Sequence, residues 1–170
     1  MKENPMREIK IEKVTLNIGC GNDQGKIERA KKLLEFLSNQ KTSITTSKRR
    51  STFGVPKGKP IGVKVTLRKK RAQEFFKSVL QSLDNKLKNS FIDEEGNINI
   101  GIKEYLELPN IRYDPNIGML GLDVTVTLER PGYKIKRRRI EKRKIPKEHK
   151  IKKEDVINWL KENYKVDVIE

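Results

Sequence analysis

Residues 61–68 read IGVKVTLR, with Ile61, Val63, Val65 and Leu67 alternating with Gly62, Lys64 and Thr66. Period-two alternation marks a strand with one face on a core and the other face in water. The same pattern recurs in IKIEKVTLNI (9–18), with Val14, Leu16 and Ile18 inward. It recurs at Ile98, Ile100 and Ile102, and in LDVTVTLE (122–129), with Leu122, Val124, Val126 and Leu128 inward. KTSITTS (41–47) reads as a further, Thr-rich strand. Between the strands lie helical spacings. Ile27, Ala30, Leu33, Leu34 and Leu37 form a stripe over 25–38, with Asp23 or Asn22 as cap. Ala72, Phe75, Phe76, Val79, Leu80, Leu83 and Leu87 form another over 70–88. A short last helix is expected over 153–164, anchored by Val156, Ile157, Trp159 and Leu160, and VDVI (166–169) has the makings of a small strand.

The order is therefore β-α-β-β-α-β-β, a basic extension, then α. Alternating strands, in place of continuous apolar runs, favour the α+β class. We expect a largely antiparallel five-strand sheet with two main helices on one face, forming a single domain over 1–170. The other face, polar at Thr45, Lys64, Thr66, Asp123, Thr125 and Thr127, stays free.

The charge is as uneven as the pattern is regular. Of 170 residues, 39 are Lys or Arg and 23 Asp or Glu, for a net +16. Lys48 to Arg71 holds ten basic residues and no acid; Arg130 to Lys153 holds thirteen basic residues and two acids. The remaining 122 residues sum to −5. Solubility needs only a modest, mixed charge, so two concentrated basic segments on a mildly acidic body point to nucleic acid. Pro, Gly and β-branched residues in these segments argue against a basic amphipathic helix on a membrane. No run approaches a membrane span, and MKENPMREIK lacks the apolar core of a secretory signal, so the expectation is a cytoplasmic protein with no membrane partner.

Enzyme signatures are weak. Gly19, Gly21 and Gly25 follow a strand and open a helix, but their spacing is one residue longer than a dinucleotide fingerprint, and the next strand ends in Thr46, Ser47 and Lys48 instead of an acid. Gly54 to Lys59 echoes a phosphate loop, yet Pro60 stands where a hydroxyl should bind Mg²⁺ and has no N–H to offer. One His and one Cys exclude the two-His and multi-cysteine zinc motifs. His149, alone among lysines, reads as a surface or RNA contact, and Cys20 as a free thiol. Asp93, Glu94 and Glu95 form a turn short of a calcium loop. No catalytic residue, metal or cofactor is expected. Phe53, inside the first basic run, either stacks on a base or packs in the core. Asn17, Lys64 and Thr66 are placed to hydrogen-bond ribose or phosphate if their strands are neighbours.

Four stretches carry a family resemblance: KVTLNIGCG (13–21), LSNQKTSITTSKRRSTFGVPKGKPIGVKVTLR (37–68), GNINIGIKEYLELPNIRYDPNIGMLGLDVTVTL (96–128) and RPGYKIKRRR (130–139). Together they resemble the universal large-subunit ribosomal protein family number five, the 5S rRNA-binding family, in its archaeal form. Asn39 and Ser43 depart from it, standing where the family more often has Gly and an apolar residue. The resemblance implies a structural role in the central protuberance of the large ribosomal subunit. It also implies partners: 5S rRNA, large-subunit rRNA, P-site tRNA, protein number thirteen of the small-subunit head and other central-protuberance proteins. Carried over by residue, 5S rRNA contacts fall on Asn17, Gln40, Phe53 and Thr66, with Lys48, Arg49, Arg50 and Lys64 beside them. The tRNA-contact loop falls on Gly54, Val55, Pro56, Lys57, Gly58, Lys59 and Pro60. In the 130–152 extension, Lys136, Arg137, Arg138, Arg139, Arg143 and Lys144 are expected to meet other RNA. An RNA chaperone or assembly factor working off the ribosome is the alternative.

Overall fold

The computed structural model describes residues 4–50, 54–109 and 111–169. The main elements are β1 (Lys10–Gly19), α1 (Gln24–Ser38), β2 (Ser43–Thr46), β3 (Pro60–Leu67), α2 (Lys69–Ser82), β4 (Lys86–Lys88), β5 (Ile98–Ile102), β6 (Leu122–Glu129), α3 (Lys134–Arg137), α4 (Lys153–Tyr164) and β7 (Asp167–Ile169). Five strands form an antiparallel sheet in the order β2-β3-β1-β6-β5, and β4 and β7 form a separate pair. The α+β class and the five-strand antiparallel sheet expected from the sequence are both present. The alternation sorts as expected: Val14, Leu16, Ile18, Val63, Val65 and Leu67 are buried, as are Ile98, Ile100, Ile102, Leu122, Val124, Val126 and Leu128. Ile61, at the loop end of β3, is only half-buried.

Contacts group the chain into two compact units, one of Thr15–Leu67 and Ile100–Thr125, the other of Met1–Val14, Arg68–Asn99 and Val126–Glu170. In the first, α1 packs on β3 through Ile27, Ala30, Leu33 and Leu34, all buried. Asp23 caps the helix, its carboxylate accepting from the Lys26 N–H at 3.2 Å. Asn39 ends it at φ 48°, in the left-handed region. Asn is one of the few non-glycine residues that tolerate this region, because its short amide can bond locally. The turn that the family more often gives to Gly is therefore kept by Asn.

In the second unit, α2 buries Ala72, Phe76, Val79 and Leu80. The helix expected over 70–88 stops at Ser82. Asp84 and Asn85 take positive φ (52° and 56°), and the Asn85 N–H returns to the Leu80 carbonyl at 2.9 Å. The chain then extends, and β4 pairs in parallel with β7, Leu87 opposite Val168. Leu87 is buried as the apolar stripe required, but from a strand. α4 covers the same range as expected and buries Val156 and Leu160. Tyr164 meets Phe76 edge-on, with ring centroids 5.1 Å apart.

Strands β3 and β1 approach closely at Gly62. A Cβ there would lie 2.5 Å from the Ile18 carbonyl oxygen and 3.1 Å from Thr45 Oγ1. Main chain cannot step aside as a side chain does, so Gly62→Ala is expected to lower unfolding free energy by about 1–3 kcal/mol. At Gly19 an added Cβ meets nothing within 4 Å, so Gly19→Ala is the control with little effect. Urea denaturation of both variants checks this.

Candidate nucleic-acid interface

Parity places the sheet's polar side chains together. With Leu16 and Ile18 in the core, Asn17 lies on the opposite face of β1; with Val63, Val65 and Leu67 in the core, Lys64 and Thr66 lie on the same open face of β3. The β2–β3 register adds Ser43 opposite Lys64 and Thr45 opposite Gly62. Lys64 and Thr66 are exposed and Asn17 is half-buried. Gln40 is not part of this face. It sits in the turn between α1 and β2, half-buried, its backbone N–H donating to Ser38 Oγ at 3.2 Å.

The first part of the first basic run, from Lys48 to Lys59, joins β2 to β3 as the hairpin loop, and the rest continues through β3 into α2. The base of the loop is closed by the Ser47 N–H donating to the Lys59 carbonyl (2.9 Å) and the Gly58 N–H donating to the Ser47 carbonyl (2.8 Å). Gly58 at φ 86° supplies the reversal, a conformation with no steric cost for glycine. Lys48, Arg49, Arg50, Gly54, Pro56 and Lys57 are exposed, while Val55, Lys59 and Pro60 are half-buried. Phe53, with Ser51 and Thr52, lies outside the described residues.

The second basic run is a loop with a tied base. The Tyr133 hydroxyl accepts from the Ile151 N–H (2.8 Å) and donates to the His149 carbonyl (3.1 Å). Arg130 is buried; it donates to the Lys150 carbonyl at 3.3 Å and pairs with Asp155 at 3.1 Å. His149 Nε2 lies 2.9 Å from the Pro131 carbonyl oxygen, and its ring meets Tyr133 edge-on at 5.8 Å. His149 is thus part of the clasp and half-buried, where the sequence suggested an open surface position. Burial holds the Tyr133 phenol above its ordinary pKa against the lowering effects of Ile151 and Arg130. The hydroxyl therefore stays available as donor and acceptor.

The six basic residues singled out in this loop differ in their surroundings. Arg137 is held between the carboxylates of Glu12 and Glu129. Arg138 bonds the Glu141 carbonyl at 2.8 Å and lies 3.6 Å from its carboxylate. Lys136 makes a loose surface pair with Glu95 at 3.8 Å. Arg139, Arg143 and Lys144 are exposed, and among the described residues none has an acid within ion-pair distance. Sequence reasoning missed Arg130, Tyr133, Glu12 and Asp155. The RPGY turn signals two of them, but the acids lie far off along the chain.

Among the described residues nothing else supplies a reactive centre: no group of three or more His, Cys, Asp or Glu side chains is placed there to hold a metal ion. No helix among them is long and apolar enough to cross a membrane. Cys20 is buried, and its thiol pKa is raised by burial first and then by Asp23, with Lys26 opposing. That direction leaves it a poor nucleophile.

One unit offers an open polar sheet face and a basic hairpin loop, and the other a tied basic loop; among the described residues neither holds a group of side chains placed to bind a metal ion. Comparison with known proteins gives the chain its family. Residues 4–55 match the family model for ribosomal protein L5, and residues 60–159 match that for the C-terminus of the same ribosomal family. The large ribosomal subunit protein uL5 of Sulfurisphaera tokodaii is 47% identical over 169 residues, covering 98% of this chain and 96% of that protein. Its counterpart in Sulfolobus acidocaldarius is 44% identical, covering 99% and 96%, and that of Nanoarchaeum equitans 44% identical, covering 98% and 99%. The chain belongs to the uL5 family of large-subunit ribosomal proteins, in its archaeal form. It is accordingly a structural ribosomal protein and not an enzyme.

The clasp sets a testable stability. Tyr133→Phe removes the hydroxyl, leaving the Ile151 N–H unpaired and the His149 carbonyl with only the 3.5 Å contact from Arg130, so unfolding free energy should fall by about 1–3 kcal/mol. Chemical denaturation checks this, and limited proteolysis within 134–148 should accelerate in the variant.

Proposed function

We propose that this chain binds 5S rRNA and helps attach it in the central protuberance. The single observation that carries the reading is the shared open face. Asn17 and Thr66, which the family resemblance assigns to 5S rRNA, and Lys64 beside them project from two neighbouring strands onto one polar surface. Amide, hydroxyl and ammonium together offer donors and acceptors to ribose, phosphate and base edges, which suits a folded RNA better than a regular duplex. Lys48, Arg49 and Arg50 lead from β2 into the hairpin loop and add phosphate neutralisation. Gln40 completes the set by resemblance alone, and Phe53 by resemblance and by its place in the first basic run. The Gly54–Pro60 arm, which returns the loop to β3, contacts P-site tRNA; Lys57 is its exposed cation and Lys59 stands half-buried at the base of the loop. Large-subunit rRNA is the partner of the 130–152 loop. Other central-protuberance proteins and an intersubunit bridge to protein thirteen of the small-subunit head complete the partners.

The first test is selectivity. In gel-shifts over a range of salt concentrations, 5S rRNA should bind more tightly than duplex DNA of equal length, with affinity for both falling as salt rises. Equal affinity throughout would overturn the reading. A variant carrying Asn17→Ala and Thr66→Ala should lose 5S rRNA affinity, whereas Lys57→Ala with Lys59→Ala should leave it nearly unchanged and alter tRNA placement on assembled ribosomes.

The basic loop makes a separate prediction. Replacing Arg139, Arg143 and Lys144 with Ala should reduce the salt slope for large-subunit rRNA by roughly 0.9 for each phosphate that is no longer neutralised. Arg137→Ala should leave that slope as it is and instead lower stability slightly, because Glu12, with a side chain only 10% exposed, then keeps Arg68 at 3.5 Å as its remaining cation. Salt titrations and melting curves on the two variants separate these outcomes.

A further inference from the structure

A cleft of about 910 Å³ opens in the second unit between the first described residues and α4. Its walls reverse the character of the rest of the molecule. Although 39 of 170 residues are Lys or Arg, no lysine among the described residues lines the cleft, and Glu8, Asp155 and Glu162 outnumber Arg7 and Arg130. Arg130 is already paired with Asp155 at 3.1 Å and Glu8 with Lys10 at 2.9 Å, which leaves Arg7 on one wall and Glu162 on the α4 wall as the exposed lining charges without an ion-pair partner among the described residues.

Helix α4 builds one wall by its period. Asp155, Trp159 and Asn163 fall at i, i+4 and i+8, and Asn158 and Glu162 form the adjacent row. Trp159 is half-buried, its ring centroid 5.3 Å from that of Tyr164, so the indole is held in place while it lines the cleft. The Asn163 amide donates to the Trp159 carbonyl at 3.0 Å, which fixes the side chain and leaves its oxygen as an acceptor. Asn158 and Asn4 add two more exposed amides.

We propose that this cleft binds an extended, lysine- or arginine-bearing peptide segment of another protein. An indole face takes the alkyl stem and charge of a basic side chain. The carboxylate of Glu162 then meets its ammonium or guanidinium. Side-chain amides repeating along a helix satisfy the N–H and C=O groups of an extended backbone, which otherwise lose their water on binding. RNA is disfavoured on the α4 wall, because the carboxylate left there without a cation, Glu162, repels phosphate. A basic partner also fits the setting: neighbours in a ribonucleoprotein must themselves neutralise phosphate, and this cleft is where one of them can lay a basic segment against an otherwise repulsive surface. The proposal does not depend on which RNA the sheet face binds.

Trp159 is the only tryptophan, so its emission reports on the cleft directly. The probe is an acetylated Gly-Lys-Lys-Arg-Lys-Gly peptide, titrated into the full chain at moderate salt to screen overall repulsion. A saturable change in Trp159 emission is expected. Glu162→Lys, at an exposed helix position, should weaken it at least about tenfold while circular dichroism stays unchanged. The same peptide with Glu at each basic position should give no change. Absence of a saturable response, an equal response to the acidic peptide, or full affinity in the Glu162→Lys variant would overturn the proposal. So would a single-stranded RNA that competes for the same signal. Concentration-dependent self-association quenched by the peptide would assign the cleft to a second copy of this chain and overturn the foreign-partner reading too.

Discussion

In an antiparallel strand the side chains alternate strictly between two faces, and this chain commits only one of the two to its core. The apolar residues of β1, β3, β5 and β6 go inward almost without exception. What remains on the other side is Thr15 and Asn17 on β1, Lys64 and Thr66 on β3, and Asp123 and Thr125 on β6, exposed or half-buried. A slip of one residue in any strand would exchange these sets and expose the core, so burial fixes the register of the polar face as firmly as that of the apolar one. The geometry of the candidate RNA surface is thus a by-product of core formation and needs no bound RNA to define it. Edge strand β2 is kept short and rich in Ser and Thr, which limits its use as a template for strand pairing with another copy.

The charge obeys a second constraint. A net +16 on 170 residues repels itself, and a chain that relied on RNA to cancel all of it would fold poorly alone. Part of the excess is cancelled internally. Arg130 is sunk against Asp155, and Arg137 lies between Glu12 and Glu129. Both pairings sit where the second basic segment leaves the sheet, so the cations nearest the fold carry structure. The cations farther out, Arg139, Arg143 and Lys144, remain without carboxylate partners among the described residues. The pairs of Arg137 are partly exposed and count for orientation more than for stability.

These two constraints differ in how far they can be read from sequence. Parity is local, so the strands, their inward residues and the open polar face follow from IGVKVTLR and its counterparts, and Asp23 and α4 from cap and period. The periodicity predicts too long an α2 because Leu83 and Leu87 continue its stripe. Asp84 and Asn85, which turn the chain at positive φ, are compatible with helix in composition, and β4 finds its partner in β7 some 80 residues later. The same distance hides the clasp. Tyr133, His149 and Ile151 meet across 16 to 18 residues, and Arg137 meets Glu12 across 125. A count of charges along the chain therefore treats Arg137 and Arg139 alike, and His149, alone among lysines, reads as a surface position. Gln40 rests on resemblance alone and Phe53 on resemblance and its place in a basic run, and neither is placed on the sheet face by any signal in the residues themselves.

On the proposed reading, the two kinds of contact sit on two kinds of scaffold for a physical reason. Hydrogen bonds to ribose or base edges have narrow limits of distance and angle, and an error of about half an ångström loses them. Asn17 and Thr66 stand on strands whose opposite faces are packed, so their backbones cannot drift. Phosphate neutralisation is tolerant: a lysine on a flexible stem reaches a diffuse charge from many positions. Loops are adequate for that task, provided that their bases are fixed. Both basic loops meet this condition, one through the Ser47–Lys59 and Gly58–Ser47 bonds and the other through Tyr133 and Arg130. Fixing the base limits the entropy lost when the tip engages RNA, while the tip keeps the freedom to follow a backbone whose path the protein does not set.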